Sequence, residues 1–233
     1  MRVVGLIGGV SWASTIEYYR IINLRVNEAL GGIHSAKCII YSVDLGELKK
    51  YQDAGDWGSV AAALSEAARK LEAAGAEAVA ICANTMHRVA EEVEEAVSIP
   101  LIHIGDVTAK KVLERGVGIV GLLGTRFTME EDFLKKRLRS YGLKVLVPEP
   151  GDREEVNRII YEELVKGILK SESKKKLIEI IERLVKAGAE GVILGCTELP
   201  LLVKEGDVEV PLFDTTRIHA EAVADFILGR FEP

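Results

Sequence analysis

Two short segments hold the residue types that chemistry needs. Cys82-Ala83-Asn84-Thr85-Met86-His87 and Gly195-Cys196-Thr197-Glu198-Leu199-Pro200 each combine a cysteine with small residues and with hydroxyl or amide side chains. A loop of this kind can bind a carboxylate through backbone N–H groups and short polar side chains, with a thiol beside it. The three cysteines read differently. Cys38, within Lys37-Cys38-Ile39-Ile40-Tyr41, reads as a small core hydrophobe. Cys196 sits between Gly195 and Thr197-Glu198, which suits a reactive position better than a core. To work as a thiolate its pKa must fall below the ordinary value of about 8.5, and N–H donors at a strand end or at the start of the next helix could lower it.

The elements that position these segments are visible as an internal repeat. Val4-Gly5-Leu6-Ile7-Gly8-Gly9 aligns with Val117-Gly118-Ile119-Val120-Gly121-Leu122 at an offset of 118 − 5 = 113, and both are apolar, glycine-bounded runs that read as buried strands. Gly75-Ala76-Glu77-Ala78-Val79 aligns with Gly188-Ala189-Glu190-Gly191-Val192 at the same offset, 188 − 75 = 113. Each of these is preceded by an amphipathic helix pattern, Val60, Leu64, Ala67, Ala68, Leu71 in the first and Leu177, Ile180, Ile181, Leu184, Val185 in the second. Gly75 and Gly188 then fall where a glycine ends a helix. Pro100-Leu101 and Pro211-Leu212 repeat at an offset of 111. The expectation is two pseudo-symmetric three-layer α/β/α domains with parallel sheets and a cleft between them. The first takes residues 1–105 plus 213–233, with the last helix packing on it, and the second takes 106–212. In open parallel sheets ligands gather at the carboxyl ends of the strands, where both cysteine segments are expected.

Composition removes other classes. Thirty Lys+Arg against 36 Asp+Glu give a net charge of −6 over 233 residues, with few aromatics, so nucleic acid is not an expected partner. The apolar start at Val3-Val4-Gly5-Leu6-Ile7 is interrupted by Gly8-Gly9, Ser11, Ser14 and Glu17 before a signal or membrane span is reached, and three scattered cysteines suit a reducing compartment; a cytoplasmic protein is expected. No CxxC or HExxH spacing marks a metal site. Gly5-Leu6-Ile7-Gly8-Gly9 is not GxGxxG and has no convincing acidic partner after the next strand, so a dinucleotide reading is set aside.

In order along the chain, Gly8-Gly9-Val10-Ser11-Trp12, Asn84-Thr85-Met86-His87, Leu123-Gly124-Thr125-Arg126, Gly195-Cys196-Thr197-Glu198 and Phe213-Asp214-Thr215 resemble the aspartate/glutamate racemase family, which inverts amino acids without pyridoxal phosphate. The resemblance spans nearly the whole chain. It implies an isomerase that needs no cofactor and acts on an acidic amino acid, with one thiolate removing the α-proton and a thiol on the other face returning one. It also implies a homodimer. By the same resemblance Val10, Ser11, Ala83, Asn84, Thr85, Thr125, Thr197 and Glu198 line the substrate pocket, while for Ser11 and Thr125 a helix-capping role fits nearly as well. Lys166 stands where aspartate-selective relatives carry a lysine, and Gln52 lies in a loop, residues 43–52, that resembles the specificity segment. That segment has Leu48 where those relatives have arginine. His87 and Arg126 are further candidates, either of which could anchor a loop.

One departure bears on mechanism. The family motif places cysteine directly before asparagine, and here that residue is Ala83. The repeat agrees, since 196 − 113 = 83. Cys82 is displaced by one residue and on an extended strand faces the other way. It therefore reads as a buried residue rather than a second acid/base, unless the strand end kinks. Cys196 alone is carried over as catalytic. The alternatives are a one-thiol decarboxylase or isomerase of the same superfamily and a non-catalytic amino-acid-binding protein.

Overall fold

A computed structural model describes all residues, Met1–Pro233. The chain divides into two compact units, Met1–Ile104 with His219–Pro233, and Gly105–Ile218. In the first, β1 (Val4–Gly8), α1 (Trp12–Leu30), β2 (Cys38–Ser42), α2 (Leu45–Asp53), α3 (Trp57–Ala73) and β3 (Ala78–Ile81) lead through a 3-10 turn (Thr85–Val89) to α4 (Ala90–Glu95). The sheet is parallel, in the order β2-β1-β3, and Leu101 bridges to Val79 beyond β3.

The second unit takes in nearly all of α5 (Ile104–Glu114), then β4 (Ile119–Gly124), α6 (Arg126–Glu130), α7 (Phe133–Ser140), β5 (Lys144–Leu146) and α8 (Pro150–Arg158). It continues with α9 (Ser171–Lys186), β6 (Gly191–Gly195), α10 (Leu199–Leu202), β7 (Leu212–Asp214) and the start of α11 (Thr215–Ile227). Its parallel sheet has the order β5-β4-β6-β7. Both sheets thus repeat one plan: Val79 N–H bonds Pro100 O and Val192 N–H bonds Pro211 O, each at 2.9 Å.

The amphipathic patterns form the expected helices. Val60, Leu64, Ala67, Ala68 and Leu71 are buried along α3, and Leu177, Ile180, Ile181 and Leu184 along α9, while the lysines and glutamates of α9 take its outer side. Each helix is followed by glycine with positive φ, +94° at Gly75 and +102° at Gly188, which turns the chain into the next strand.

The pairing of strands corrects one register. Gly5 lies opposite Val79, and Gly121 opposite Val192. Since 192 − 79 = 113 while 121 − 5 = 116, the counterpart of Gly5 is Gly121, and Val4-Gly5-Leu6-Ile7-Gly8 matches Val120-Gly121-Leu122-Leu123-Gly124. The reason is packing. A Cβ on Gly5 would come within 2.8 Å of Leu71 Cβ, and one on Gly121 within 2.9 Å of Leu184 Cδ1, Leu71 and Leu184 being themselves repeat partners. Gly118 lies before the strand, its N–H bonded to Glu190 Oε2 at 2.7 Å.

The return to the first unit also shifts. Leu212–Asp214 pairs with β6, so residues 213–218 stay with the second unit and the chain returns at His219 rather than at 213. From there the last helix is fastened within the first unit by Arg25 to Asp225 (2.8 Å), Tyr18 Oη to His219 Nδ1 (2.8 Å) and Arg2 N–H to Ile227 O (2.9 Å). No helix is long and apolar enough to cross a membrane.

Candidate active site

In the second unit the carboxyl end of β6 delivers Cys196. Gly195 precedes it because a Cβ there would lie 2.9 Å from Leu123 O, too close for any side chain. Cys196 belongs to the buried apolar cluster that also holds Leu123, Met129, Leu194 and Leu199, and it is 8% exposed. Its Sγ–H donates to Glu198 Oε2 at 3.0 Å, and Thr197 Oγ1–H donates to the same oxygen at 2.5 Å. Burial, followed by the charge of Glu198 and its hydrogen bond, pushes the thiol well above the ordinary cysteine value. The backbone N–H groups of Glu198 and Leu199 do pull it down, as expected, but they are outweighed. The resting group is therefore a thiol aimed at a carboxylate, not a thiolate in a nest of donors.

Two other expected positions lie in this unit. Thr125 caps α6: its Oγ1 accepts from Thr128 N–H at 3.4 Å and shares a hydrogen bond with Thr128 Oγ1 at 3.2 Å. Lys166 is exposed at the end of a 3-10 turn (Leu164–Lys166) that follows a π turn (Ile159–Glu163). That turn is pinned by the buried Glu163 carboxylate, which accepts from Ser173 Oγ (2.6 Å), Arg158 Nη1 (2.7 Å) and Lys170 Nζ (3.3 Å). The Ser173 hydrogen bond, with the two cations, holds Glu163 below the usual carboxylate range.

In the first unit the equivalent strand end carries Cys82-Ala83-Asn84. Ile81 pairs with Ile7 as Leu194 pairs with Leu123, so Ala83 occupies the position of Cys196 and Cys82 that of Gly195. The chain bends at the strand end, with Ala83 N–H on Ile81 O at 2.9 Å, but Cys82 keeps its own N–H on Ile7 O at 3.0 Å. Its side chain is fully buried, and burial pushes the thiol far up. Beyond Ala83 the chain turns through buried Asn84 and half-buried Thr85. His87 holds this turn: its Nδ1–H donates to Ala83 O at 2.7 Å and its Nε2 accepts from Ile104 N–H at 3.2 Å, a pairing that fixes the neutral tautomer.

Gln52 is buried, its amide 3.6 Å from Met86 Sδ. The segment around it is not a loop, because Asp44 caps it as α2 and Leu48 is buried in that helix. Val10 is buried, and Ser11 caps α1 by accepting from Ser14 N–H at 3.3 Å. Gly9 has no alternative: its φ is +78° and a Cβ would sit 2.1 Å from Val43 O. Thr15, whose Oγ1 accepts from Gly9 N–H at 2.9 Å and donates to Ser11 O at 2.9 Å, went unnoticed in the sequence, as did the buried Tyr18–His219 pair. Nothing local marks them, since their partners are set by how the strand-end loop folds back and by the last helix. No group of three or more His, Cys, Asp or Glu is placed to hold a metal ion.

Comparison with known proteins agrees in family and fold. The profile of the Asp/Glu/hydantoin racemases matches residues 7–223. The broad specificity amino-acid racemase RacX of Bacillus subtilis (strain 168) is 25% identical over 97% of this chain and 99% of its own. A crystal structure of a candidate Asp/Glu racemase from Yersinia pestis superposes with a TM-score of 0.94 at 51% identity, covering 98% of this chain and 100% of that one. An aspartate racemase homologue from Pyrococcus horikoshii OT3 gives 0.86 at 40% identity over the same shares, 98% and 100%.

Proposed function

From a chain that belongs to the Asp/Glu/hydantoin racemase family, and is thus an isomerase of the racemase type, we propose an enzyme that moves the α-proton of an acidic amino acid with Cys196 as its acid/base. The observation that carries this reading is the Cys196 thiol, placed at a strand end with a carboxylate acceptor at 3.0 Å and N–H donors beside it. A group of that kind can hand a proton to a carbanion at once and can take one when its own proton is accepted. Each unit has its own candidate for binding a carboxylate, the turn of Asn84 and Thr85, steadied by His87, in the first and Lys166 in the second. Stabilising the enediolate by hydrogen bonds makes a cofactor unnecessary in this scheme.

Ala83 leaves the first unit without a thiol at the matching strand position, and Cys82 is read as structural. The second face of Cα is then served by water or another side chain. The reading also takes the protein as cytoplasmic and homodimeric, for which light scattering should give twice the chain mass.

Proton NMR of L- and D-aspartate and glutamate in D2O is the test. Cα–H exchange is expected with the wild type and with Cys82→Ala, and a loss of about 10²-fold or more with Cys196→Ala. Exchange that depends equally on Cys82 would restore a two-thiol scheme; exchange from none of the four substrates would end the proposal. The lone thiol favours one alternative, a malonate-type decarboxylase, which carbon dioxide release without exchange would identify.

A further inference from the structure

Resting on that reading, we propose that Glu198 is the proton acceptor for Cys196, the two forming a relay that carries a single proton. The geometry is specific: Cys196 Sγ–H and Thr197 Oγ1–H converge on one oxygen, Oε2, at 3.0 and 2.5 Å. The carboxylate is turned onto the sulfur's own loop, which departs from its expected role as a substrate contact.

The need for such an acceptor follows from the setting. A sulfur on a residue only 8% exposed, in the same buried cluster as Leu194, Leu199 and Met129, has little water to receive its proton, and burial with the adjacent carboxylate disfavours the thiolate. Simple ionisation would leave two anions side by side. Transfer within the pair instead converts S–H with –COO⁻ into S⁻ with –COOH, at constant total charge. The thiolate then takes the α-hydrogen as a proton, the C–H electron pair remains on the substrate as enediolate, and sulfur is again S–H. Glu198 releases its proton to solvent before the next cycle, or returns it to sulfur after Cys196 has protonated the carbanion in the reverse direction. Thr197 steadies the carboxylate by its own hydrogen bond and transfers nothing.

The isosteric Glu198→Gln variant is the test, with Cα–H exchange followed against substrate concentration and pH and with thiolate absorbance near 240 nm referenced to Cys196→Ala. The expectation is a fall in kcat of about 10²-fold or more with KM changed by less than about threefold, while the sulfur ionises at a lower pH than in the wild type. A thiol easier to ionise yet slower in exchange is not what a merely structural glutamate would give. Wild-type exchange in Glu198→Gln, or a loss confined to KM, would overturn the relay, the latter marking Glu198 as a substrate contact. If Cys196→Ala itself exchanges normally, the thiol reading fails; if only Cys196→Ala is inactive, the relay alone fails. Should the glutamine variant not fold, as judged by circular dichroism, Glu198→Asp keeps the charge but withdraws the oxygen by one methylene. It must then show the same fall in kcat at nearly constant KM, or the relay is overturned.

Discussion

At the scale of single residues, the two strand ends differ by one sulfur. Ala83 and Cys196 occupy equivalent places, yet only Cys196 has a thiol and only Cys196 has a carboxylate to receive its proton. If the first strand end lacks nothing but the sulfur, Ala83→Cys should raise the rate of inversion relative to Cα–H exchange. An increase of about tenfold or more, read by chiral chromatography alongside NMR, is the expected outcome. An unchanged ratio would mean that another group already serves that face. His87 keeps the backbone there in place whatever side chain position 83 carries, since it bonds the Ala83 carbonyl.

At the scale of elements, the sheet and its helices meet through glycines. Gly5 and Gly121 let α3 and α9 approach, and the obstacle at Gly5 is Leu71 Cβ, an atom that no rotamer change can move. Gly5→Ala should therefore push helix from strand and cost about 1–3 kcal/mol, measured as a lower urea midpoint at unchanged slope. The same substitution at Gly31, where nothing lies within 4 Å but φ is +71°, would act through the backbone alone and cost about 1 kcal/mol. Comparing the two variants separates packing from backbone strain.

For the whole molecule, the last helix ties acid stability to the fold. His219 is fully buried between Tyr18 Oη and the Ile102 carbonyl, and burial, with a smaller effect from His103, lowers its pKa from 6.5 to about 3. The unfolded chain takes up a proton below pH 6.5 that the folded chain refuses until about pH 3. Its contribution to stability is therefore complete above pH 6.5 and is lost as pH falls toward 3, at up to roughly 1.4 kcal/mol per pH unit. Urea unfolding at pH 7 and pH 5 should differ by about 2 kcal/mol from this group. His219→Gln should flatten that difference while lowering stability at pH 7. Equal pH slopes for the two proteins would show that other groups govern acid unfolding.

The sequence by itself determined the doubled α/β plan, the helix-ending glycines at Gly75 and Gly188, and the displacement that puts Ala83 where Cys196 has its counterpart, because periodicity and spacing are local and survive without coordinates. It misplaced what depends on partners far along the chain. The match of Gly5 to Gly118 was three residues out, since only strand pairing and the leucine packed on each glycine distinguish Gly118 from Gly121. Phe213 joined the second sheet because β6 offered it an edge, and residues 43–52 became a helix once Asp44 capped them and Leu48 found a core. The state of Cys196 was likewise a tertiary matter. Neighbouring N–H donors could be foreseen from a strand end, but the depth of burial and the side-chain direction of Glu198 decide whether sulfur rests as thiol or thiolate, and both come from packing.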